Sequence, residues 1–342
     1  MPLGEFELID RHFRRVGAQR PDVVLGVGDD GAILRPPAGF DVVAVSDTLV
    51  ENVHFPAGSP PRSIGHRSLA VNLSDVAAMG ATAAWALLNL TLPRTEDDWL
   101  AEFAAGFEAL ALEHDVALVG GDTTRGPLMI SVQVLGLVPQ GQGLRRSRAR
   151  AGDLLCVSGT PGDAAAGLHL LQHDQTARVT GSEALDRLRR RFEYPTPRVA
   201  LGRELADLAS ACIDVSDGLM GDVGKIAAAS GCGAILDLDL LPRSAALAAM
   251  VQDGTFSDRE ALRFALGGGD DYELAFAVPR ARRADLDALQ RRHEVTIVGE
   301  FLAVSGPADG TRVSLRSADA SRRGVAAEVS AEVAAGFDHF GA

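Results

Sequence analysis

The chain has 342 residues, of which 46% are hydrophobic and 23% charged, and its formal net charge is −13. This length corresponds to about two domains, and the apolar content excludes an intrinsically disordered chain. The acidic balance argues against a nucleic-acid partner, which needs a basic surface, and no apolar run approaches the roughly 18 residues of a membrane span.

The cysteines and the amino-terminal segment indicate the compartment. Cys156, Cys212 and Cys232 are far apart and form no C-x-x-C pair, so neither a disulfide framework nor a zinc knuckle is supported. The amino-terminal segment carries acidic residues among its apolar ones and has no apolar core, which argues against a signal peptide. A cytoplasmic location is therefore expected, because that compartment is reducing.

The first part of the chain alternates helical and extended patterns. Residues 4–16 have the apolar spacing of a short amphipathic helix, and residues 63–79 predict a longer helix with Ser63 as its N-cap. A further helix is predicted from Thr95 to Glu113. Strands are predicted at residues 22–28, 41–50, 81–92, 116–119 and 128–138.

A polar segment at residues 139–152 predicts a linker. It is rich in glycine and contains Arg145, Arg146, Arg148 and Arg150. Such a change of composition is typical of a domain boundary. We therefore expect an N-terminal domain at residues 1–138 and a C-terminal α+β domain at residues 153–342.

The second part also mixes both kinds of element. Strands are predicted at residues 153–158, 234–238, 272–278, 295–303 and 311–315, and a further strand is predicted to end at residue 213. Helices are predicted at residues 162–172, 183–191, 198–211, 244–251, 258–266 and 280–291, and a further helix is predicted to begin near residue 217. Residues 325–337 fit a helix or a strand. Strands and helices in both halves indicate domains of α/β or α+β type.

Aspartate recurs beside glycine or a hydroxyl residue, often directly after an apolar strand. The six occurrences are GDDG at 28–31, SDT at 46–48, NLSD at 72–75, GGDTT at 120–124, DVSDG at 214–218 and GGGDD at 267–271. One Asp-Gly pair is more often a turn. Six occurrences instead favour a site for a hard cation such as Mg²⁺, which prefers oxygen ligands and shares its shell with phosphates.

Glycine runs beside these acidic residues predict a polyphosphate site. Gly120-Gly121 and Gly267-Gly268-Gly269 offer bare backbone that can approach a phosphate and donate N–H groups. Arg125 and Arg146 are nearby in sequence and can grip phosphate oxygens. Lys225 is the only lysine and lacks the P-loop spacing, so metal ions and arginine are expected to neutralise the phosphates.

Signatures of other enzyme classes do not occur in the sequence. It contains no H-E-x-x-H pair and no G-x-S-x-G elbow, which disfavours a zinc hydrolase and a serine hydrolase. Cys156 lies in a buried strand pattern and is expected in the core. His54 follows the strand that contains Asp47 and is a candidate for the same cleft.

Taken in chain order, these motifs resemble those of the thiamine-monophosphate kinase family. The matching segments are GEFELI at 4–9, GVGDDGA at 26–32, SDTLVENVHF at 46–55, LAVNLSDVAAMGA at 69–81, GGDTTRGPL at 120–128, DVSDGL at 214–219, GGGDDYEL at 267–274 and GFDHF at 336–340. They span essentially the whole chain. The wider superfamily that these motifs resemble also includes aminoimidazole ribonucleotide synthetase, but the GEF opening and the GGDTTRGPL run favour the thiamine branch.

The resemblance implies that the γ-phosphoryl of ATP is transferred directly to thiamine monophosphate, giving thiamine diphosphate and ADP. The implied fold has an α/β and an α+β domain. The N-terminal domain would bind ATP and magnesium, and its sheet would pair with a second subunit in a homodimer. The implied partners are ATP, thiamine monophosphate and several Mg²⁺ ions. Neither nucleic acid nor a membrane is expected as a partner.

The resemblance also implies roles for individual residues. The magnesium ligands would be Asp30, Ser46, Asp47, Asp75, Asp122, Asp214 and Asp217. The ATP contacts would be His114, Gly121, Asp122, Arg146 and Ser216. The substrate contacts would be His54, Asp270 and Phe337.

Three positions depart from the family pattern. His114 stands where the family often has a tyrosine, and Asp270 replaces a usual glutamate, which shortens the side chain by one methylene. Val45 takes the place of a hydroxyl residue, so only its backbone carbonyl could bind a metal ion.

Two other functions are compatible with the sequence. One is a different ATP-dependent synthetase of the same superfamily, which product analysis with thiamine monophosphate would distinguish. The other is a non-catalytic nucleotide or metal sensor. The presence of every acidic motif argues against a sensor, which could lose some of them.

Overall fold

The computed structural model describes residues 5–173, 182–304, 312–319 and 322–324. The chain divides into two compact units, Met1–Gly143 and Leu144–Ala342. Phe337 and the ambiguous segment 325–337 lie outside the described residues.

The elements of the N-terminal unit follow the predicted order. Its helices are α1 (Glu5–His12), α2 (Pro61–Ala78) and α3 (Asp97–Glu113). Its strands are β1 (Val23–Leu25), β2 (Ile33–Leu34), β3 (Phe40–Val50), β4 (Thr82–Leu92), β5 (Ala117–Arg125) and β6 (Met129–Pro139). Strand β5 is longer than predicted, because it continues through its glycine pair in register with the second half of β4.

Four of these strands form the main sheet of the unit, in the order β3-β6-β4-β5. Strands β4 and β5 are parallel, and the other neighbours are antiparallel. Buried side chains such as Val132, Val134 and Leu90 lie on one face, and α2 packs against β3, β4 and β6. Strands β3 and β5 are therefore the two edges of the sheet.

Helices α2 and α3 cross at two glycines. A Cβ on Gly65 would lie 2.0 Å from the carbonyl oxygen of Phe103, and one on Gly106 would lie 2.0 Å from that of Arg62. These distances leave no room for any side chain, so the two backbones touch directly.

The prediction that Ser63 caps α2 is wrong. The helix begins at Pro61, and Ser63 lies inside its first turn, where its hydroxyl donates to the carbonyl of Pro60 at 2.8 Å. Proline favours the first helical position because its φ is already helical and its missing N–H has no partner to lose there. The start of the helix is therefore set by proline.

The C-terminal unit contains a second, larger sheet. Its strands are β7 (Leu154–Ser158), β8 (Ala211–Val215), β9 (Gly233–Asp237), β10 (Glu273–Val278), β11 (Val295–Leu302) and β12 (Val313–Arg316), in the order β12-β9-β11-β7-β10-β8. Only β12 and β9 are parallel among these neighbours in the described residues. The mixed sheets and helices of the two units confirm the predicted α/β and α+β fold class.

The helices of this unit do not all pack against its sheet. They are α4 (Asp163–Gln172), α5 (Glu183–Glu193), α6 (Val199–Leu205), α7 (Leu219–Ser230), α8 (Ala245–Gln252), α9 (Asp258–Gly267) and α10 (Arg283–Gln290). Helix α7 packs on the sheet through Val223 and Ile226, whereas α4, α5, α8 and α9 share a separate apolar cluster. Helix α6 ends earlier than predicted because strand β8, paired with β10, follows closely.

A buried carboxylate joins the strands of this unit to two arginines. Glu273 at the start of β10 is fully buried. Arg198 donates to both of its oxygens at 2.6 and 2.5 Å, Arg191 donates at 3.0 Å, and the Ser158 hydroxyl donates at 2.5 Å. Burial alone would raise the pKa of Glu273, but its hydrogen bonds and charge interactions with Arg198 and Arg191 hold that pKa below its usual value.

None of the helices in the described ranges combines the length and apolar composition that a membrane crossing requires.

Replacing two helical glycines with alanine should change stability in opposite directions. Gly65→Ala should lower the free energy of unfolding by about 3 kcal/mol, because its methyl group overlaps the Phe103 carbonyl. Gly224→Ala in α7 should raise it by about 0.5–1 kcal/mol, because the nearest atom, in Val313, lies 3.7 Å away and alanine favours helix. Urea unfolding followed by circular dichroism measures both, and equal effects would contradict the close contact of α2 with α3.

Removing the charge of Glu273 should destabilise the protein in a pH-dependent way. Glu273→Gln should cost about 3 kcal/mol at pH 7, because two arginines lose their buried carboxylate. The pKa of Glu273 lies below its usual value of 4.5, so its contribution is complete above that pH and is lost as the pH falls through the folded-state pKa. The difference between variant and wild type, measured by urea unfolding, should therefore shrink below about pH 4.5. A difference that stays constant down to pH 3 would contradict this.

Candidate active site

A cleft of about 590 Å³ opens in the N-terminal unit beside strand β5. Residues 27–32, between β1 and β2, line one side, and residues 118–123 line the other. Ile9 and Phe13 contribute an apolar wall. The predicted site residues Asp30, Gly121 and Asp122 all line this cleft, as does Asp29.

Asp122 belongs to a polar row on the open face of the sheet. Strand register aligns Thr48 with Ser131, Ser131 with Asn89, and Asn89 with Asp122. Directly paired residues point to the same face of a sheet. The hydroxyls of Thr48 and Ser131 are 2.6 Å apart and hydrogen-bonded. This face therefore presents polar groups across all four strands.

Gly121 is required by the packing of β5 on β4. Its φ is +145°, and a Cβ at this position would lie 1.8 Å from the carbonyl oxygen of Leu88. Only glycine avoids this overlap. The result is bare backbone beside Asp122 in the wall of the cleft.

Asp47 and Asp122 do not lie together within one chain. They are on β3 and β5, the two edges of the sheet, so about three strand spacings, or roughly 14 Å, separate them. Asp47 pairs with the buried Val132 and so points to the face opposite Asp122. Asp75 lies in the last turn of α2, the helix that packs against β3. Ser46 points to the open face, but from the distant edge.

The cleft suits a magnesium ion that arrives with phosphates. Within the described ranges, no three His, Cys, Asp or Glu side chains are grouped as a preformed metal cage. Mg²⁺ does not need one, since it is commonly bound by one or two carboxylates and completes its shell with water and substrate phosphates. Asp30 and Asp122 supply two carboxylates in one cleft, and Gly121 leaves space for a phosphate beside them.

The two predicted histidines of this unit occupy different positions. The N–H of Val50 donates to Nδ1 of His54 at 2.9 Å, which places the ring proton on Nε2. His114 ends α3, and burial lowers its pKa despite the nearby Glu113. It precedes β5, so it lies near the end of that strand opposite Asp122 and does not line the cleft.

In the C-terminal unit, two predicted motifs lie side by side. Asp214 is buried in β8, and Ser216 and Asp217 follow that strand. The N–H of Asp270 donates to the Ser216 carbonyl at 2.9 Å. A Cβ on Gly269 would lie 2.4 Å from the same carbonyl oxygen. The glycine run here therefore allows the two loops to pack, and it brings Asp270 next to Ser216 and Asp217.

The only lysine of the chain binds two acidic residues, one in this loop and one in the first turn of α7. The Lys225 ammonium donates to Asp217 at 2.5 Å and to Asp222 at 2.8 Å. Asp222 also accepts the N–H groups of Ser216 and Asp217, both at 3.0 Å. Burial raises the pKa of Asp222, and Lys225 opposes that shift. Burial would lower the pKa of Lys225, but its bonds to Asp217 and Asp222 raise it.

Arg146 lies at the other end of α7 from Asp217. Its carbonyl accepts the hydroxyl of Ser230, the last residue of that helix, at 2.8 Å. Twelve helical residues correspond to about 18 Å. The unit therefore does not bring the Arg146 backbone close to Ser216. Phe337, the third predicted substrate contact, lies outside the described residues.

The cysteines are unsuited to nucleophilic catalysis. All three are buried and unpaired. Burial raises the pKa of Cys156 to about 12, so its thiolate is scarce near neutral pH. This confirms the prediction that Cys156 belongs to the core.

Several polar residues around these motifs were not among the predicted site residues. They are Asp29, Arg191, Asp222, Lys225 and Glu273. Asp29 and Glu273 lie inside motifs that the sequence had already singled out, so a search of the motif neighbours would have found them. Arg191 lies in the arginine-rich helix α5, whose pattern is that of a solvated surface helix and gives no sign of a buried partner.

Comparison with known proteins supplies the family. The model for the AIR synthase related protein N-terminal domain matches residues 28–138, and that for the C-terminal domain matches residues 150–308. The thiamine-monophosphate kinase of Salmonella typhimurium is 48% identical over 289 residues, covering 84% of this chain and 86% of that protein.

Two solved structures are similar over most of the chain. The crystal structure of thiamine-monophosphate kinase from Stenotrophomonas maltophilia K279a is 46% identical with a TM-score of 0.79, covering 87% of this chain and 92% of the other. The structure of AaThiL complexed with AMPPCP and TMP is 29% identical in sequence with a TM-score of 0.72, and the match covers 84% of this chain and 87% of the other. With its motifs in order, two matched domains and near-half identity over most of its length, the chain belongs to the thiamine-monophosphate kinase family.

Proposed function

We propose that this protein transfers the γ-phosphoryl group of ATP to thiamine monophosphate, forming thiamine diphosphate and ADP. The observation that carries this proposal is the cleft beside β5, where Asp30, Gly121 and Asp122 meet. A relative with the same fold, AaThiL, has been solved with AMPPCP, an ATP analogue, and TMP. The cleft offers the carboxylates and bare backbone that such a nucleotide requires.

The reaction requires no covalent bond between the protein and the transferred phosphoryl group. An oxygen of the acceptor phosphate forms the new P–O bond while the bond to the β-phosphate of ATP breaks, and the electron pair leaves on ADP. The acceptor oxygen is already ionised near neutral pH, so no strong general base is needed. Catalysis then consists of positioning and charge stabilisation, and direct transfer needs none of the buried thiols as a nucleophile.

Magnesium, when bound, neutralises the phosphate charges and aligns the phosphoryl group. In the N-terminal unit, Asp30 and Asp122 would hold it beside the nucleotide, and the backbone of Gly121 would approach the phosphates. Ser46 and Asp47 on β3, and Asp75 on the helix that packs against it, are the other proposed magnesium ligands of this unit. In the C-terminal unit, Asp214 and Asp217 are the proposed ligands and Ser216 and Arg146 the proposed ATP contacts.

The proposed substrate contacts are His54 and Asp270, together with Phe337. His54 is held by the N–H of Val50, and Asp270 is held by the carbonyl of Ser216. Asp270 offers a carboxylate to the cationic thiazolium or the aminopyrimidine of the acceptor. The unpaired, buried cysteines are compatible with the cytoplasmic location that we propose.

The proposed active form is a homodimer. Strand β3 is an 11-residue edge with Phe40 and Val42 exposed at 43% and 47%, and such an edge is normally covered. A two-fold pairing of sheets would also bring the β3 of one copy toward the β5 of another. That arrangement would bring Ser46 of one copy and Asp122 of another closer together, since both point to the open face but lie on opposite edges of one sheet.

Neutralising Asp122 should abolish most activity without unfolding the protein. Asp122→Asn should lower kcat/KM by about two orders of magnitude or more, which is about 2.7 kcal/mol of transition-state stabilisation. The assay couples ADP release from ATP and Mg²⁺ to added thiamine monophosphate, with product identification. Asp98→Asn, on the exposed first turn of α3, is the control. A wild type that releases no ADP on addition of thiamine monophosphate would overturn the proposed function.

Charging the β3 edge should separate the subunits. Val42→Lys places an ammonium on the exposed edge and should convert the dimer into monomers at micromolar concentration. Analytical ultracentrifugation measures the mass, and circular dichroism confirms that the variant is folded. A wild type that sediments only as a monomer would contradict the proposed dimer.

A further inference from the structure

The loop that carries Asp270 has an unusual backbone conformation. Asp270 and Tyr272 have φ values of +69° and +51°, in the left-handed region that residues with side chains seldom occupy. Such a conformation persists only when the surroundings hold it. The groups that fix this loop therefore also fix the direction of the Asp270 carboxylate.

Backbone contacts hold one side of the loop. The N–H of Asp270 donates to Ser216 at 2.9 Å, and the N–H of Tyr272 donates to Val215 at 2.8 Å. On the other side, the carboxylate of the intervening Asp271 accepts the N–H of Gly162 at 2.7 Å, at the start of α4. These contacts anchor both ends of the loop and its central side chain.

One long side chain reaches the backbone of the loop from a different helix. Nη2 of Arg191, in α5, donates to the carbonyl of Asp271 at 2.9 Å and to the carboxylate of Glu273 at 3.0 Å. Glu273 is itself fixed by Arg198 and Ser158. Arg191 therefore connects the peptide between Asp271 and Tyr272 to a buried carboxylate that is itself hydrogen-bonded on both oxygens.

We propose that Arg191 is a positioning residue for the acceptor site, which sets the affinity for thiamine monophosphate by holding the Asp270 loop. It acts through the backbone of Asp271 and touches no substrate itself. This proposal rests on the proposed function and on the contact of Asp270 with the acceptor.

Arg198 provides a matched control. Arg198 binds the Glu273 carboxylate at least as closely as Arg191 does. Both side chains are mostly buried, with 28% of the Arg198 side chain exposed and 16% of the Arg191 side chain exposed. In the described residues Arg198 makes no hydrogen bond to the loop. Loss of either arginine should therefore weaken the Glu273 network, but only loss of Arg191 should loosen the loop.

The experiment compares Arg191→Met, Arg191→Lys and Arg198→Met with the wild type. For each, kcat and the KM values for thiamine monophosphate and ATP are measured, and the melting temperature is recorded. Arg191→Met should raise the KM for thiamine monophosphate about tenfold, the effect of losing one hydrogen bond that orients the site. The KM for ATP and kcat should stay within about threefold. Arg191→Lys, which keeps one donor, should restore most of the affinity.

Arg198→Met should lower the melting temperature at least as much and leave the KM for thiamine monophosphate within about threefold of the wild type. Equal KM values in Arg191→Met and Arg198→Met would overturn the proposal. If Arg191→Met does not fold, Arg191→Gln takes its place, and a KM for thiamine monophosphate equal to that of the wild type, together with a lowered melting temperature, would overturn the proposal. Inactivity of the wild type toward thiamine monophosphate would instead reject the proposed function, so the two failures are distinguishable.

Discussion

Direct contact between backbones, at places where only glycine fits, is the constraint on which this structure depends. At Gly65 and Gly106 it sets the crossing of α2 and α3, which pack together in the N-terminal unit. At Gly121 it seats β5 against β4 and leaves bare backbone in the wall of the cleft. At Gly269 it locks the Asp270 loop onto the loop after β8. The framework and the candidate site therefore rely on the same kind of contact.

The sequence predicted most elements because burial and periodicity are local signals. The apolar runs at 81–92 and 128–138 became β4 and β6 almost to the residue. The lateral order of the strands is not a local signal. In the sequence, the Asp47 and Asp122 motifs look alike, because each places an aspartate beside a glycine or a hydroxyl residue. The strand order β3-β6-β4-β5, however, puts them on opposite edges of the sheet. Only the three-dimensional pairing reveals that one chain keeps these two carboxylates apart.

The candidate site was predicted in part, for a related reason. Motif residues such as Asp30, Gly121 and Asp122 do share a cleft, as the resemblance implied they should. The glycine run at 267–269 suggested an approach to phosphate, whereas here its close contacts are with other parts of the chain: Gly268 with Ala165 and Phe264, and Gly269 with Ser216. The partners of Glu273 come from α5 and the start of α6, more than 70 positions earlier, and no spacing rule connects charges across such a distance.

The strand order of the N-terminal unit has a consequence for its synthesis on the ribosome. Strand β3 has one partner in its sheet, β6, and the register joins Val50 to Met129 and Phe40 to Pro139. After β3 has emerged, the ribosome must therefore add roughly 80 to 100 residues before that partner exists. At about 5–20 residues per second this interval lasts several seconds or longer. During that time Phe40, Val42 and an open row of peptide groups are exposed to solvent. Among the four strands of this sheet, β3 therefore waits longest for its partner, and it is exposed to aggregation until β6 has emerged.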